Sequence, residues 1–231
     1  MVDEINKLKK QAAEQAVQYI KNGMVVGLGS GSTTFFAIQK IGELINKAIL
    51  NEIRCIPSSL KTEAEARSLR IPLTNLEEHP KIDITIDGAD EVDPELNLIK
   101  GGGGALLREK ILAQASNRLI IIVDESKLSP QLGTNWAVPV EVIEFGYKPA
   151  FNYLESLGAK VKLRSDNEDK LYRTDEGNII LDCNFGSIKN LDQLALNLNK
   201  HAAIVENGLF LGLASEIIVA GRNGIKFLKR E

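Results

Sequence analysis

Three short stretches of the sequence combine residue types that bind anions or transfer protons. The first spans residues 27–34 and is Gly-Leu-Gly-Ser-Gly-Ser-Thr-Thr. Its backbone N–H groups and hydroxyls precede a predicted helix, and the N-terminus of a helix favours an anion such as phosphate. We therefore predict a phosphate-binding loop formed by Ser30, Gly31, Ser32 and Thr33.

The same loop half-matches the fingerprint of a dinucleotide-binding site. Gly27 and Gly29 fit that pattern, but Ser32 stands where the third glycine belongs. The next predicted strand is followed by residues 57–59, Pro-Ser-Ser, without the expected acidic residue. NAD binding is therefore disfavoured, and a capped helix after a tight turn, with no ligand, stays an alternative.

The second stretch, residues 87–93, is Asp-Gly-Ala-Asp-Glu-Val-Asp and directly follows a predicted strand. In open parallel sheets, ligands bind beyond the carboxyl ends of the strands. The carboxylates of this stretch are therefore candidates for a functional role. A solvated acidic loop and a divalent-cation site are the alternatives that this composition leaves open.

The third stretch begins at Lys100, continues through four glycines at 101–104 and opens a helical pattern that contains Glu109. Consecutive glycines cost backbone entropy, so they indicate conformations closed to other residues or the close approach of a ligand. Helical side chains lean toward the N-terminus, so Glu109 can point back over the glycines, toward Lys100 and the carboxylates of the second stretch. Alternatively, Glu109 belongs to a solvated Arg-Glu-Lys run.

Alternating strands and helices surround these stretches. Apolar periodicity predicts a helix after the first stretch, helices at 4–22, 61–69 and 105–115, and strands at 24–28, 52–56, 82–86 and 119–123. This order predicts an α/β fold, with a mostly parallel sheet that has helices on both faces.

The rhythm changes past residue 130, where the pattern predicts a smaller α+β domain. Its elements are strands at 136–142 and 160–164, helices at 147–156 and 191–199, and a hairpin with arms at 171–173 and 179–182. Apolar strands follow at 203–205, 209–213 and 217–220, and we expect some of them to return to the first sheet. The predicted division is 1–129 with 206–231 for the α/β domain and 130–205 for the small domain.

Composition and charge exclude several classes of protein. The net charge of −3 and the low aromatic content disfavour nucleic-acid binding. The longest apolar runs are too short to cross a bilayer, and no secretory signal pattern is present, so we expect a cytoplasmic protein without membrane contact. His79, His201, Cys55 and Cys183 do not form a zinc-ligand pattern, and the cysteines suit reduced, buried thiols.

The three stretches, in this order and spacing, resemble the signatures of the type A family of ribose-5-phosphate isomerases. The resemblance spans almost the whole chain and includes residues 124–127, Asp-Glu-Ser-Lys. Gly104 is one departure, because relatives often carry alanine there. The resemblance implies a ferredoxin-like small domain, a homodimer or homotetramer, and conversion of D-ribose 5-phosphate to D-ribulose 5-phosphate in the pentose phosphate pathway, with no cofactor and no metal.

Site residues are carried over from the family by matching position. Glu109 is the implied general base, while Asp87, Asp90 and Lys100 line the reacting end of the sugar phosphate. Further implied substrate contacts are Ser30, Gly31, Ser32, Thr33, Gly88, Ala89, Gly101, Gly102, Gly103 and Lys127. Competing classes are a CoA transferase or amino-sugar phosphate deaminase-isomerase of related fold, and a non-catalytic sugar-phosphate sensor.

Overall fold

The computed structural model describes residues 2–166 and 168–230. Within these residues the helices are α1 (Val2–Val17), α2 (Ser32–Asn46), α3 (Leu60–Ser68), α4 (Leu106–Ala115), α5 (Tyr147–Ser156) and α6 (Leu191–Leu198). None of these helices is long and apolar enough to cross a membrane.

The strands form three sheets. They are β1 (Val25–Leu28), β2 (Arg54–Pro57), β3 (Ile84–Asp87), β4 (Glu91–Val92), β5 (Leu98–Ile99), β6 (Leu119–Asp124), β7 (Val138–Val142), β8 (Lys160–Leu163), β9 (Ile179–Asn184), β10 (Ile204–Asn207), β11 (Leu209–Phe210), β12 (Glu216–Gly221) and β13 (Gly224–Lys229). The chain divides into two compact units, which are described separately below.

Unit 1 comprises Met1–Ala89, Arg108–Lys127 and Leu213–Glu231. Its six-stranded sheet has the order β13-β12-β6-β3-β1-β2, and only the pairing of β12 with β13 is antiparallel. All six residues of β6 are buried, as expected for a strand covered on both faces. The predicted parallel sheet is confirmed, and so is the return of the C-terminal segment, because β12 pairs with β6.

The core of unit 1 explains why α1 forms. Its buried alanines, Ala12, Ala13 and Ala16, recur at helical spacing and pack with apolar residues of α2 and of the sheet. We predicted a helix as far as residue 22, but α1 ends at Val17. The N–H groups of residues 18–20 instead donate to carbonyls three residues back, so the chain tightens into a 3₁₀-like turn.

Unit 2 comprises Asp90–Leu107 and Leu128–Gly212. Its main sheet is antiparallel with the order β10-β7-β9-β8, and the chain order is β7-α5-β8-β9-α6-β10. This β-α-β-β-α-β arrangement is the ferredoxin-like topology that the family resemblance implied. A small sheet of order β11-β5-β4 completes the unit.

The hairpin prediction was wrong for its first arm. Residues 171–173 form no strand, apart from one isolated bridge between Leu171 and Ser165. Of the two strands that pair with β9, it is β8 that precedes it in the chain and forms the hairpin with it, in the register Lys160 to Asn184. A longer connection thus joins the two paired strands, and the predicted tight turn lies within that connection.

Three segments predicted for the α/β domain, residues 90–107, 128–129 and 206–212, lie in unit 2 instead. Residues 90–107 and 206–212 belong there because β5 pairs with β11, directly after β10 in the chain. The Lys100 N–H also donates to the Gly208 carbonyl over 2.9 Å. Strands of two residues carry no periodicity of their own, so neither β4 nor β5 was predicted from the sequence.

One buried carboxylate in unit 2 makes folding sensitive to pH. Glu141 lies on β7 and is 1% exposed; its Oε1 accepts hydrogen bonds from Thr174 and Asn178, each over 2.9 Å. Among the described residues, its Oε2 has no hydrogen-bond partner. Burial raises the pKa of the Glu141 carboxyl, the two hydrogen bonds act in the opposite direction, and nearby Glu176 and Glu206 add to the rise.

Glu141→Gln should therefore stabilise the protein at neutral pH. A carboxyl whose pKa is raised in the folded state makes its full contribution to stability at pH values below its unfolded-state pKa. This contribution is lost as the pH rises through its folded-state pKa. We expect the melting temperature of Glu141→Gln, relative to wild type, to rise by about 2–4 °C between pH 4 and pH 8, as roughly 1 kcal/mol produces in a chain of this size. Thermal melts at both pH values test this, and a pH-independent difference would contradict it.

Candidate active site

The carboxyl edge of the unit 1 sheet collects several of the predicted site residues. Strands β6, β3, β1 and β2 are neighbours and parallel, so the residues that follow them lie along one edge. In sheet order these residues are Lys127, Asp87, the 30–33 loop and the Ser58-Ser59 pair. The chain leaves β1 toward β2 on one side and returns to β3 on the other, which makes this edge a topological switch point.

Asp87 is held firmly at this switch point. It ends β3 and is 1% exposed. Its Oδ1 accepts the N–H of Ser30 over 3.2 Å and the N–H of Gly88 over 2.7 Å. A Cβ on Gly29 would lie 2.1 Å from the same oxygen, so glycine at position 29 is needed for this approach. The carboxylate is thus fixed before any ligand binds.

The hydroxyl of Ser30 belongs to a cluster that the sequence did not reveal. Its Oγ lies 2.9 Å from the Oγ of Ser58, 2.8 Å from that of Ser59 and 3.1 Å from the Oγ1 of Thr62. Ser59 also caps α3 by accepting the N–H of Thr62. These contacts turn the Ser30 side chain toward the α3 end. The signal available in the sequence was the Ser58-Ser59 pair directly after β2, a neighbour of β1.

A lysine accompanies the predicted phosphate loop. Gly31 has φ +120°, and α2 begins at Ser32, so the loop presents the helix N-terminus as predicted. The ammonium of Lys9, on α1, donates to the Ser32 Oγ over 2.9 Å. The loop thus has a cation as well as N–H groups. The sequence analysis missed Lys9, because it stands 23 residues earlier in an ordinary helical pattern.

Glu109 is a buried residue of α4. It is the fourth residue of the helix and only 5% exposed, and its neighbour Lys110 is 6% exposed. The interpretation of Glu109 as part of a solvated charged run is therefore wrong. Lys127 is half-buried in the short 3₁₀ turn Glu125–Lys127 after β6.

The acidic stretch is not a solvated loop either. Glu91 is 1% and Asp93 is 7% exposed. Glu91 accepts the N–H groups of Gly133 and Asn135, over 2.8 and 3.0 Å. Asp93 accepts those of Glu95 and Asn97. Backbone N–H groups thus occupy these carboxylates, and over residues 2–166 and 168–230 no group of three or more His, Cys, Asp or Glu is arranged to hold a metal ion.

Lys100 is a buried residue of unit 2 that lies near an aromatic ring. Lys100 follows β5 and is 2% exposed. Its Nζ lies 5.4 Å from the ring centroid of Phe210, at a distance where the ring face attracts a cation. A lysine this deeply buried in a small domain is unusual unless its charge is used.

Asp90 contacts the run of four glycines at residues 101–104, called the glycine run below, within unit 2. Its Oδ2 accepts the N–H of Gly102 over 2.7 Å, and a Cβ on Gly102 would lie 2.7 Å from its Oδ1. Gly101 and Gly104 have φ of +97° and +82°, which other residues rarely adopt. A Cβ on Gly103 would meet no atom within 4 Å. Three of the four glycines are therefore required by the fold itself.

Unit 1 thus contains a buried glutamate, a fixed aspartate and a loop at a helix N-terminus, and unit 2 contains a fixed aspartate and a buried lysine. A family model described as ribose 5-phosphate isomerase A (phosphoriboisomerase A) matches residues 54–224 of the chain. The chain belongs to this family. The glycine run, the buried Glu109 and the loop at the N-terminus of α2 are therefore read below as features of a member of this family.

Individual relatives agree over nearly the full length. The ribose-5-phosphate isomerase A of Desulfatibacillum aliphaticivorans is 57% identical over 222 residues, which is 96% of each chain. A solved D-ribose-5-phosphate isomerase in complex with phospho-erythronic acid has a TM-score of 0.95 at 39% identity, covering 98% of this chain and 99% of that one. The ribose 5-phosphate isomerase of Plasmodium falciparum also has a TM-score of 0.95, at 40% identity and the same coverage.

Proposed function

We propose that this chain interconverts D-ribose 5-phosphate and D-ribulose 5-phosphate, a step of the non-oxidative pentose phosphate pathway. The observation that carries the proposal is the burial of Glu109 directly after the glycine run, in a chain of this family. The reaction moves a proton between carbon 2 and carbon 1 through an enediolate. One carboxylate that faces both carbons can remove the proton and return it.

Four charged residues have roles in the proposed chemistry. Glu109 takes the proton from carbon 2 of the aldose and delivers it to carbon 1. The ammonium of Lys100 and N–H groups of the glycine run stabilise the negative charge that develops on the substrate oxygen. Asp87 and Asp90 assist ring opening, because a closed furanose needs a proton acceptor and a donor before isomerisation.

The phosphate is held by the first loop. Gly31, Ser32 and Thr33 offer N–H groups and hydroxyls at the N-terminus of α2, and Lys9 and Lys127 add positive charge. Ser30 keeps the loop in place through its hydroxyl contacts and its N–H bond to Asp87. Binding the remote phosphate positions the reacting carbons, which lowers the entropic part of the barrier.

The ligand of the solved relative supports this assignment. Phospho-erythronic acid carries a phosphate at one end and a carboxylate at the other, and a carboxylate places two oxygens on one planar carbon. An enediolate likewise presents planar carbons with negatively charged oxygen. A site that binds such an acid suits the charge of the intermediate, so phospho-erythronic acid should compete with ribose 5-phosphate on this chain as well.

A coupled assay of ribulose 5-phosphate formation from ribose 5-phosphate, run with EDTA present, tests the proposal. Turnover with the chelator is expected, since the proposed steps use only side chains and backbone groups. Absence of turnover on ribose 5-phosphate would contradict the function. Turnover that vanishes only on chelation would favour a metal site at the acidic stretch.

Lys9→Met should weaken substrate binding. The ammonium of Lys9 donates to the Ser32 hydroxyl at the loop, and a hydrogen bond in which one partner is charged contributes about 1.5–3 kcal/mol. We therefore expect KM for ribose 5-phosphate to rise by about tenfold with little change in kcat. Lys10→Met is the matched control, because Lys10 is exposed and lies 3.9 Å from Glu14. Equal KM values for both variants would remove Lys9 from the phosphate site.

A homo-oligomer, either dimer or tetramer, and a cytoplasmic location complete the proposal. Phe145 is fully exposed and neighbouring Ile143 is 47% exposed, and exposed apolar residues of this kind are typical of subunit contacts. Cys55 and Cys183 are both free and buried, which suits a reducing compartment. Light scattering on the purified protein gives the oligomeric state directly.

A further inference from the structure

An arginine of unit 2 donates hydrogen bonds to backbone carbonyls of the glycine run. Arg164 follows β8, and its Nη1 donates to the Gly101 carbonyl over 2.8 Å and to the Gly102 carbonyl over 3.2 Å. The Nε and Nη2 of the same guanidinium bind the two carboxylate oxygens of Asp182 on β9. These two bonds to Asp182 fix the orientation of the guanidinium, and this also fixes the direction of Nη1.

One peptide group links Arg164 to Asp90. The Gly101 carbonyl and the Gly102 N–H belong to the same peptide bond. Arg164 donates to its oxygen, and its N–H donates to the Asp90 Oδ2 over 2.7 Å. A cation at the carbonyl end makes the N–H a stronger donor, because hydrogen bonds in a chain polarise one another. The charge of Arg164 therefore strengthens the contact that holds the Asp90 carboxylate.

Tyr172 also contacts the backbone of the glycine run. Its hydroxyl donates to the Gly103 carbonyl over 3.0 Å, and its ring centroid lies 5.9 Å from the guanidinium carbon of Arg164. A Cβ on Gly104 would lie 2.1 Å from that hydroxyl, so this position of Tyr172 requires glycine at 104. The departure at Gly104 is thus coupled to an aromatic residue 68 positions later in the chain.

We propose that Arg164 is a positioning residue for the isomerisation: through the Gly101-Gly102 peptide it orients Asp90 and aligns the amides of the glycine run for the reacting end of the substrate. Asp182 orients Arg164, and Tyr172 holds the end of the run. This inference rests on the proposed function. It adds a residue that lies outside the three sequence motifs and does not itself touch the substrate.

Kinetic constants separate a positioning role from substrate binding. Arg164→Ala should lower kcat for ribose 5-phosphate by about 10- to 100-fold, with KM within about threefold of wild type, because a small misplacement of reacting groups costs rate. Guanidinium added at millimolar concentration should restore part of kcat by occupying the vacated space. Arg173→Ala is the matched control: Arg173 also binds a carboxylate, Glu144, and a glycine carbonyl, Gly177, away from the glycine run.

Three outcomes would overturn the proposal. One is a kcat of Arg164→Ala within about twofold of wild type. Another is a rise in KM without a fall in kcat, which would make Arg164 a binding residue. The third is a fall in kcat that matches the loss of folded protein, seen by circular dichroism, and that guanidinium does not rescue, since a structural tie alone gives that result.

A spectroscopic measurement keeps this test independent of turnover. The amide proton of Gly102 should lie downfield in the NMR spectrum of the wild type, because it bonds to a carboxylate, and should move upfield in Arg164→Ala but not in Arg173→Ala. An unchanged Gly102 resonance would overturn the link to Asp90 even in an active enzyme. A wild type that fails to turn over ribose 5-phosphate yet shows this shift would refute the proposed function and leave the link intact.

Discussion

Glu109→Gln should lower kcat for ribose 5-phosphate by about 10²–10⁴-fold, the usual contribution of a positioned acid-base group. Glutamine has the size and hydrogen-bonding reach of glutamate but cannot accept the proton from carbon 2. Because Glu109 is 5% exposed in the first turn of α4, water cannot easily substitute for it. The proposed phosphate contacts lie in the 30–33 loop, so KM should stay within about threefold of wild type.

The same substitution at another buried glutamate provides the control. Glu141 is 1% exposed on β7, and its carboxylate binds Thr174 and Asn178, which have no role in the proposed chemistry, so Glu141→Gln should keep the wild-type kcat. Circular dichroism of both variants checks that they fold. Near-normal turnover by folded Glu109→Gln would exclude Glu109 as the base and would direct attention to Asp87 or Asp90.

Much of unit 1 could be predicted from local patterns. Continuous apolar runs such as β6 indicate strands buried on both faces, and alternating helices imply parallel pairing, so the functional loops had to lie at one edge of the sheet. Asp87, the 30–33 loop and Lys127 follow neighbouring strands for this reason. The predicted elements were misplaced only at their ends, where turns such as residues 18–20 continue the helical periodicity, but the antiparallel edge strand β13 was not predicted.

Unit 2 was harder to predict because its pairing depends on distant partners. β5 has two residues and exists because Leu98 pairs with Phe210, far along the chain. The hairpin error has the same origin, since β9 finds its partner in β8 and not in the residues nearest to it. The ferredoxin-like order came from the family resemblance, because periodicity alone indicated only a small α+β domain.

The candidate site likewise contains residues that local patterns indicate and residues whose contacts are with distant parts of the sequence. The glycine run was a visible signal, since four consecutive glycines at a helix start are costly without a purpose. Lys9 and Arg164 were not visible, because each contacts its loop across 23 and 63 residues of sequence and is otherwise an ordinary basic residue. Motifs thus indicated the candidate substrate contacts, whereas Lys9 and Arg164, which contact two of these loops, were recognised only in the structure.

The two aspartates of the acidic stretch illustrate what that support does. Asp87 takes N–H groups from Ser30 and Gly88, and Asp90 takes the N–H of Gly102. Each carboxylate has an oxygen anchored on backbone that glycine allows to come close. In the proposed ring opening, carboxylates anchored in this way need no reorganisation, and glycine at positions 29 and 102 leaves room for the anchoring.

Lys100→Met should lower kcat by about 10²–10³-fold, the usual effect of removing one group that stabilises a developing oxyanion. Methionine retains most of the length and the apolar stem of lysine, so the packing against Phe210 is largely kept while the charge is lost. Lys100 is 2% exposed, and in such a setting a charge acts over a short distance with little screening by water. The enediolate forms only during turnover, so the loss should fall on kcat more than on KM.

Lys148→Met is the matched control for the lost charge. The Nζ of Lys148 also lies over a phenylalanine ring in unit 2, 4.5 Å from the centroid of Phe151, but on α5 and away from the glycine run. Kinetics of both variants on ribose 5-phosphate, with inhibition by phospho-erythronic acid, separate the effects. Lys100→Met should bind the acid more weakly than wild type, because the carboxylate loses its cation, and Lys148→Met should not. Equal inhibition constants and equal kcat for the two variants would show that the buried charge of Lys100 serves the fold and takes no part in the reaction.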